Sequence, residues 1–262
     1  GDPGAMREIF RTSLGDENGM MLYKQPAEVT VKGSTAFLVR RDNDRGTITV
    51  LAFDLADPSA VAQSGRVTVS GDIEVLAGTA VVGTRLLVAT APWGGSPVTI
   101  HAVDVASPAA MRTAGTMTVP GPSCAGGWRA AALPGNRLVA VDKCGRILQR
   151  FDLSDPDRPR VVDTTPLALP AGDVTAVPGA LVVAAGDAGG VRLYSDGVSA
   201  PTPLGTLDTI GAVSCVVSAG DRVYGTHPDG GVFGIGRAAV GTVVAPEVRK
   251  PGPAGACAIV SD

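Results

Sequence analysis

Short apolar runs rich in β-branched residues recur along the whole chain, cut off by glycine or by an Asp-Pro or Ser-Pro pair. No stretch sustains the 3.6-residue period of an amphipathic helix. Runs at 36–39, 86–88, 138–140, 181–183, 222–224 and 257–260 each follow a glycine: Gly33, Gly83, Gly135, Gly179, Gly220 and, more faintly, Gly252 or Gly255. Each is predicted to be the second strand of a hairpin, because tight hairpin turns often need positive φ, which glycine adopts freely. A second set of turn signals at 44–46, 143–145, 187–189 and 229–231 leads into predicted third strands. These cover 47–55, 98–105, 146–153, 190–194 and 231–235, and fourth strands follow at 66–69 and 116–119.

One segment repeats closely: 52–58, 102–108 and 150–156, with Phe53, Val103 and Phe151 lying 50 and then 48 residues apart. A period of that size marks a repeated supersecondary unit. Its proline ends the third strand, since proline has no donor for the ladder. Four antiparallel strands per unit, repeated around a ring, predict an all-β fold: a six-bladed β-propeller of four-stranded blades. The sixth blade would begin with strands near 246–250 and 255–262 and be completed by N-terminal strands at 6–14 and 19–24, which removes exposed edges. The alternative is five blades with an N-terminal extension. Residues 1–5 read as a cloning scar and 6–262 as a single propeller domain. The Asp-x-Ser-Asp-Pro segment at 152–156 and its relatives in the first two units resemble the LVIVD-repeat propellers. The resemblance covers units one to three, is lost in units four and five, and implies a fold rather than an activity.

Composition narrows the class. The chain has 262 residues, 35 glycines and 20 prolines, and aromatics make up only 4%, as suits a turn-rich β protein. The net charge of −3 and the scattered Lys and Arg predict no nucleic-acid partner. No apolar run approaches the roughly 18 residues of a membrane span, so no membrane partner is expected either. Residues 7–11 after Met6 lack the apolar core of a signal peptide. This predicts a cytoplasmic monomer, or an exported protein if a signal peptide has been removed. Cys124, Cys144, Cys215 and Cys257 show no C-x-x-C spacing, which argues against structural zinc. They read as four buried thiols, with disulfides as the alternative.

In a propeller the loops entering the innermost strands share one face with the loops between second and third strands. That face is the predicted working surface. The entering loops carry Asp72, Glu74, the 120–129 segment, Asp173 and Glu247, with Glu28 at the start of the corresponding strand in unit one. The other set carries Trp93, Asp142, Lys143, His227 and Asp229. The two tryptophans, Trp93 and Trp128, fall in long Gly/Pro-rich loops and are candidate ligand contacts, or else pack between blades. Arg129, Glu28, Asp173, Asp142 and Lys143 complete the candidate ligand set. The aspartates near second turns also read as plain turn formers. His101 is mid-strand and reads as structural, whereas His227, with Asp229 and Glu74, is the candidate acid-base group.

Motifs for a serine nucleophile elbow, a zinc protease or a phosphate loop are absent. The formal G-x-G-x-x-A at 234–239 lies inside a repeat unit and is rejected as a dinucleotide site. No cofactor and no metal are expected. The leading reading is a non-catalytic propeller binding a small ligand or partner protein at its channel mouth. The alternative is a metal-independent enzyme of isomerase, cyclase or lyase type.

Overall fold

The computed structural model describes residues 27–42, 46–57, 59–70, 75–92, 97–119, 128–142, 146–155, 157–186, 190–197, 199–207, 212–219, 222–226, 232–235 and 247–249. Within them the hairpin pattern folds as five four-stranded antiparallel sheets, each with its strands side by side in chain order. The first sheet comprises β1 (Ala27–Lys32), β2 (Thr35–Asp42), β3 (Thr47–Asp54) and β4 (Ala62–Val69). The second comprises β5 (Val75–Val82), β6 (Arg85–Ala91), β7 (Val98–Asp104) and β8 (Arg112–Val119). The third comprises β9 (Trp128–Leu133), β10 (Arg137–Asp142), β11 (Ile147–Asp152) and β12 (Arg160–Pro166). The fourth comprises β13 (Asp173–Val177), β14 (Ala180–Ala184), β15 (Val191–Ser195) and β16 (Pro203–Leu207). The fifth comprises β17 (Cys215–Ala219), β18 (Arg222–Thr226), β19 (Val232–Ile235) and β20 (Glu247–Arg249).

Middle strands are apolar on both faces because both faces are covered; β3, for instance, is buried continuously from Ile48 to Ala52. Four apolar seams result. Phe37, Val50 and Leu86 join the first sheet to the second, and Leu87, Trp128, Leu138 and Phe151 join the second to the third. Val139, Leu148 and Leu181 join the third to the fourth, and Val182, Leu193 and Val216 join the fourth to the fifth. Successive inner strands β1, β5, β9, β13 and β17 pack against one another in that order. Face-to-face meanders with their first strands innermost are the blades of a β-propeller.

The repeated segment has a definite local job. Asp54, Asp104 and Asp152 each end a third strand, and each Oδ1 accepts the backbone N–H two residues on: Ala56 at 2.9 Å, Ala106 at 3.1 Å and Ser154 at 2.8 Å. This Asx turn offers the backbone an alternative to the ladder and so stops the strand. One residue before each of these aspartates the pairing with the fourth strand is interrupted by a bulge. The fourth sheet has the same bulge between Leu193 and Tyr194, although its sequence lacks the repeated segment. Blade geometry therefore outlasts the motif.

Glycine serves two purposes in these blades. Gly83 closes the β5–β6 turn at φ 55°, with open space where a Cβ would stand, so only its backbone conformation matters. Gly65 on β4 and Gly115 on β8 are close-approach sites instead. A Cβ would lie 1.8 Å from the Pro108 carbonyl oxygen in the first case and 2.1 Å from that of Asp157 in the second. Each outer strand thus seats the strand-ending turn of the following blade.

One expectation is corrected. The strand near 246–250 does not open a sixth unit; Glu247–Arg249 pairs antiparallel with β19 and forms the outer edge of the fifth sheet. The physical reason is that β19 otherwise offers an unpaired edge, which Glu247–Arg249 covers. Glu247 accordingly leaves the set of loop residues entering an inner strand. The N-terminal strands at 6–14 and 19–24, and the strand at 255–262, lie outside the described residues.

Candidate functional site

The inner strands bring distant residues to one level. Each first hairpin closes on a last pair: Lys32 with Thr35, Val82 with Arg85, Leu133 with Arg137, Val177 with Ala180, and Ala219 with Arg222. Four residues before these pairs stand Glu28, Gly78, Arg129, Asp173 and Cys215, one from each blade. Three of them, Glu28, Arg129 and Asp173, are candidates read from the sequence. The level lies at the end of the inner strands remote from their hairpin turns, which is the predicted working face.

Glu28 and Arg129 meet although they are 101 residues apart and belong to the first and third blades. Arg129 Nη1 donates to Glu28 Oε1, and the Thr79 hydroxyl from the second blade donates to Glu28 Oε2 at 3.0 Å. The second blade has Gly78 at this level, so it contributes no side chain that would hold the pair apart. Thr30 and Thr79 hydroxyls lie 3.0 Å apart, which extends the polar cluster along β1 and β5. Both ends of the ion pair remain open to solvent, with side-chain exposures of 22% for Glu28 and 38% for Arg129.

Asp173 is fastened differently. It is buried, its Oδ1 accepts the Val174 N–H at 2.9 Å, and its Oδ2 accepts the Val216 N–H of the fifth blade at 3.0 Å. Next to it, the Thr175 hydroxyl donates to Ser218 Oγ at 2.9 Å. The carboxylate is therefore a bolt between β13 and β17 rather than a loop acid. Asp142 is also buried, and it is the last residue of β10 rather than a residue of the following loop.

Trp128 departs most from its expected place. It is the first residue of β9, only 3% exposed, and packs edge-to-face on Phe151 with centroids 5.9 Å apart and planes at 77°. Its placement as a loop aromatic is thus corrected, and the alternative, packing between blades, is what the structure shows. The Gly/Pro-rich composition ends just before it, and burial between the second and third sheets rewards a large apolar ring. Its partner in the expected pair, Trp93, lies outside the described residues, as do Glu74, Lys143, His227 and Asp229.

His101 is buried in β7, as its mid-strand position suggested, with Nε2 3.1 Å from the Thr90 hydroxyl. Burial lowers its pKa, so the neutral ring is favoured. Cys215 is disulfide-bonded, which overturns the thiol reading for this residue; the other three cysteines lie outside the described residues. Among the described residues no group of three or more His, Cys, Asp and Glu is arranged to hold a metal ion. Sequence reading missed Thr79 and Thr30. Strand alternation was the available signal for Thr30, since it shares a face with Glu28 two residues earlier.

No protein-family model matches the sequence, and no curated protein matches it either. Solved structures do match in fold. A functionally unknown protein from Desulfotomaculum acetoxidans superposes with a TM-score of 0.64 at 13% identity, over 86% of this chain and 70% of that one. A protein from Lactobacillus plantarum gives the same score and coverage at 15% identity. A candidate 6-phosphogluconolactonase from Bacteroides fragilis gives 0.61 at 17% identity, over 82% of this chain and 67% of that one. The chain is an all-β propeller of four-stranded antiparallel blades. No helix among the described residues is long and apolar enough to cross a membrane.

Proposed function

We propose that this chain is a non-catalytic propeller that binds a small polar ligand, or a short segment of a partner protein, at the working-face end of its inner strands. The observation that carries the reading is the convergence of Glu28, Thr79 and Arg129 from three blades at a place that solvent reaches. Both partners of this half-buried pair keep contact with solvent, so screening limits what it adds to stability. Opposite charges at fixed spacing, backed by hydroxyls, suit a ligand that carries both a donor and an acceptor end. Trp128 has no place in this reading, because its ring belongs to a seam.

The enzyme alternative rests on His227, Asp229 and Glu74, which lie outside the described residues, and on Glu28, Asp173 and Arg129, of which Asp173 is tied up between two inner strands and the other two pair with each other. The likeness of the strand-ending segments to LVIVD repeats is part of the proposal and speaks to repeat architecture alone. The Cys215 disulfide favours the exported alternative, since disulfides persist in oxidising compartments.

Thermal-shift measurements against a panel of amino acids, short dicarboxylates and terminally capped peptides test the reading. At least one compound is expected to raise the melting temperature of the wild-type protein. That rise is expected to vanish in Arg129→Ala and in Glu28→Gln, whose unliganded melting temperatures change little. A panel without effect, or a shift that survives both substitutions, would overturn it.

A further inference from the structure

Arg129 gives only one end of its guanidinium to the protein. Nη1 donates to Glu28 Oε1 and, more weakly, to the Ala77 carbonyl at 3.4 Å, whereas Nε and Nη2 have no partner among the described residues. Glu28 is the reverse case, because Arg129 and the Thr79 hydroxyl already supply a donor to each of its oxygens. We propose, building on the ligand-binding reading above, that the ligand carries a carboxylate gripped by the Nε–Nη2 edge of Arg129. Glu28 is then a positioning residue that aims this edge.

The backbone of the second blade is shaped for this hold. At β1–β2, β9–β10, β13–β14 and β17–β18 the inner hairpins pair without interruption. Only the β5–β6 register shifts, between Leu76 and Gly78, so Ala77 is the extra residue of a bulge. Bulges re-aim the groups beside them, and the carbonyl of this bulged residue is the one Arg129 reaches. Gly78 follows, and a Cβ there would lie 2.1 Å from the Trp128 carbonyl oxygen. Without that Cβ, β5 lies against the backbone of β9 one residue before Arg129. The guanidinium is thus held between a carboxylate of the first blade and a carbonyl of the second. Glu28 is steadied in turn: the Thr79 proton goes to its Oε2, so the Thr30 hydroxyl, 3.0 Å away, donates to Thr79.

The spare edge selects the ligand group. Nε–H and Nη2–H are parallel donors whose fork matches the two oxygens of a carboxylate. Guanidinium nitrogens accept no hydrogen bond, so an ammonium finds nothing to bind there. Among Glu28, Gly78, Arg129, Asp173 and Cys215, which share this level, Arg129 is the only cation, and Glu28 already offsets it. That balance suits one negative charge better than two. The Arg129 side chain is partly exposed, and neither unpartnered nitrogen is among the buried atoms, so the edge is open to solvent.

Ligand-observed NMR on the full chain tests this with matched probes. N-acetylglycine presents a carboxylate, N-acetylglycinamide an amide in its place, glycinamide an ammonium, and inorganic phosphate a more highly charged oxyanion. N-acetylglycine is expected to bind saturably, and the amide and the ammonium roughly tenfold or more weakly. Phosphate is expected to displace it poorly. Equal binding of N-acetylglycinamide would refute the carboxylate while leaving a ligand site in place, and tighter binding of phosphate would refute the single charge. Binding by none of the four would end the carboxylate assignment; only a wider panel without effect would end the ligand site itself. Arg129→Lys keeps the charge but loses the paired donors, and a loss of roughly tenfold in N-acetylglycine affinity is expected. Glu28→Gln separates aim from charge. Removing a neighbouring negative charge would by itself tighten carboxylate binding, so weaker binding at an unchanged melting temperature reports lost aim. Tighter binding in Glu28→Gln would strike Glu28 out as the positioning residue.

Discussion

The seam between the second and third blades and the seam between the third and fourth solve one packing problem with different residues. In the first, Gly115 on the outer strand lies beneath the Asp157 carbonyl of the next blade's strand-ending turn, and its strand partner is Ala102. In the second, the equivalent pair is Asp163 and Arg150. Arg150 Nε donates to Asp163 Oδ2 at 2.7 Å, and Nη1 reaches across to the Gly197 carbonyl of the fourth blade. The fourth blade has lost the repeated segment, and its turn after β15 meets the third blade through the Gly197 carbonyl and Arg150 instead. A charged pair fills the space and supplies the cross-blade hydrogen bond. What one blade carries on its outer strand is therefore set by the turn of the blade that follows it.

The largest effect expected from this comparison comes from adding one methyl group. Gly115→Ala places a Cβ against a backbone oxygen that cannot move without shifting the third blade's turn. A loss of about 3 kcal/mol is expected, or a fall in melting temperature of roughly 10 °C. Gly205 is the matched position on β16, paired with Leu193, and nothing lies within 4 Å of its would-be Cβ. Gly205→Ala should change stability by no more than about 0.5 kcal/mol. Equal losses at the two sites, measured by denaturant unfolding, would mean that the close approach is not what Gly115 is for.

How much of this was legible beforehand follows the range of each interaction. Hairpin turns and strand ends are local, so Gly83 and the aspartates at 54, 104 and 152 could be placed from neighbouring residues alone. The roles of Gly65, Gly115 and Asp163 had a signal that was not used: each lies eleven residues after its strand-ending aspartate. Lining up the repeats would have set two glycines against one aspartate. Trp128 was left open between a loop and a seam because its loop-like sequence neighbours say nothing of Phe151. The meeting of Glu28 with Arg129 depends on the register of three hairpins and on a glycine in the blade between them. No local pattern records that. Candidate residues could be assigned to a face, but not to partners.

A middle-sized effect tests whether the charged pair stands in for the seated turn. Arg150 has a side chain only 5% exposed, and the Asp163 carboxylate relies on it, since Asp163 Oδ1 has no hydrogen-bond partner among the described residues. Arg150→Ala leaves that carboxylate half-buried and unpaired, with an expected loss of about 2–3 kcal/mol. Adding Asp163→Gly to it recreates the Ala/Gly pair of the first two blades and removes the stranded charge. The double variant is expected to be more stable than Arg150→Ala alone, as read from urea midpoints with unchanged slopes. If the second substitution instead adds to the loss, the pair does something other than stand in for a seated turn.

The smallest effect distinguishes the strand-ending turns themselves. The third blade's turn has Ser154 where the second blade's has Ala106, and the Ser154 hydroxyl donates to Asp152 Oδ1 at 2.5 Å. That bond, then the Ser154 backbone N–H and the Arg160 guanidinium, hold the Asp152 pKa down to about 2. A carboxylate whose pKa is depressed by folding stabilises the native state at pH values above its unfolded pKa, and that contribution fades as pH falls towards the folded one. The window here is therefore about pH 4 down to about pH 2. Ser154→Ala, which gives the third blade the second blade's residue, is expected to raise the Asp152 pKa and move the loss to higher pH. Carboxyl NMR titration of both proteins reads the shift directly. An unchanged midpoint would assign the depression to Arg160 and to the backbone, leaving the two turns electrostatically alike.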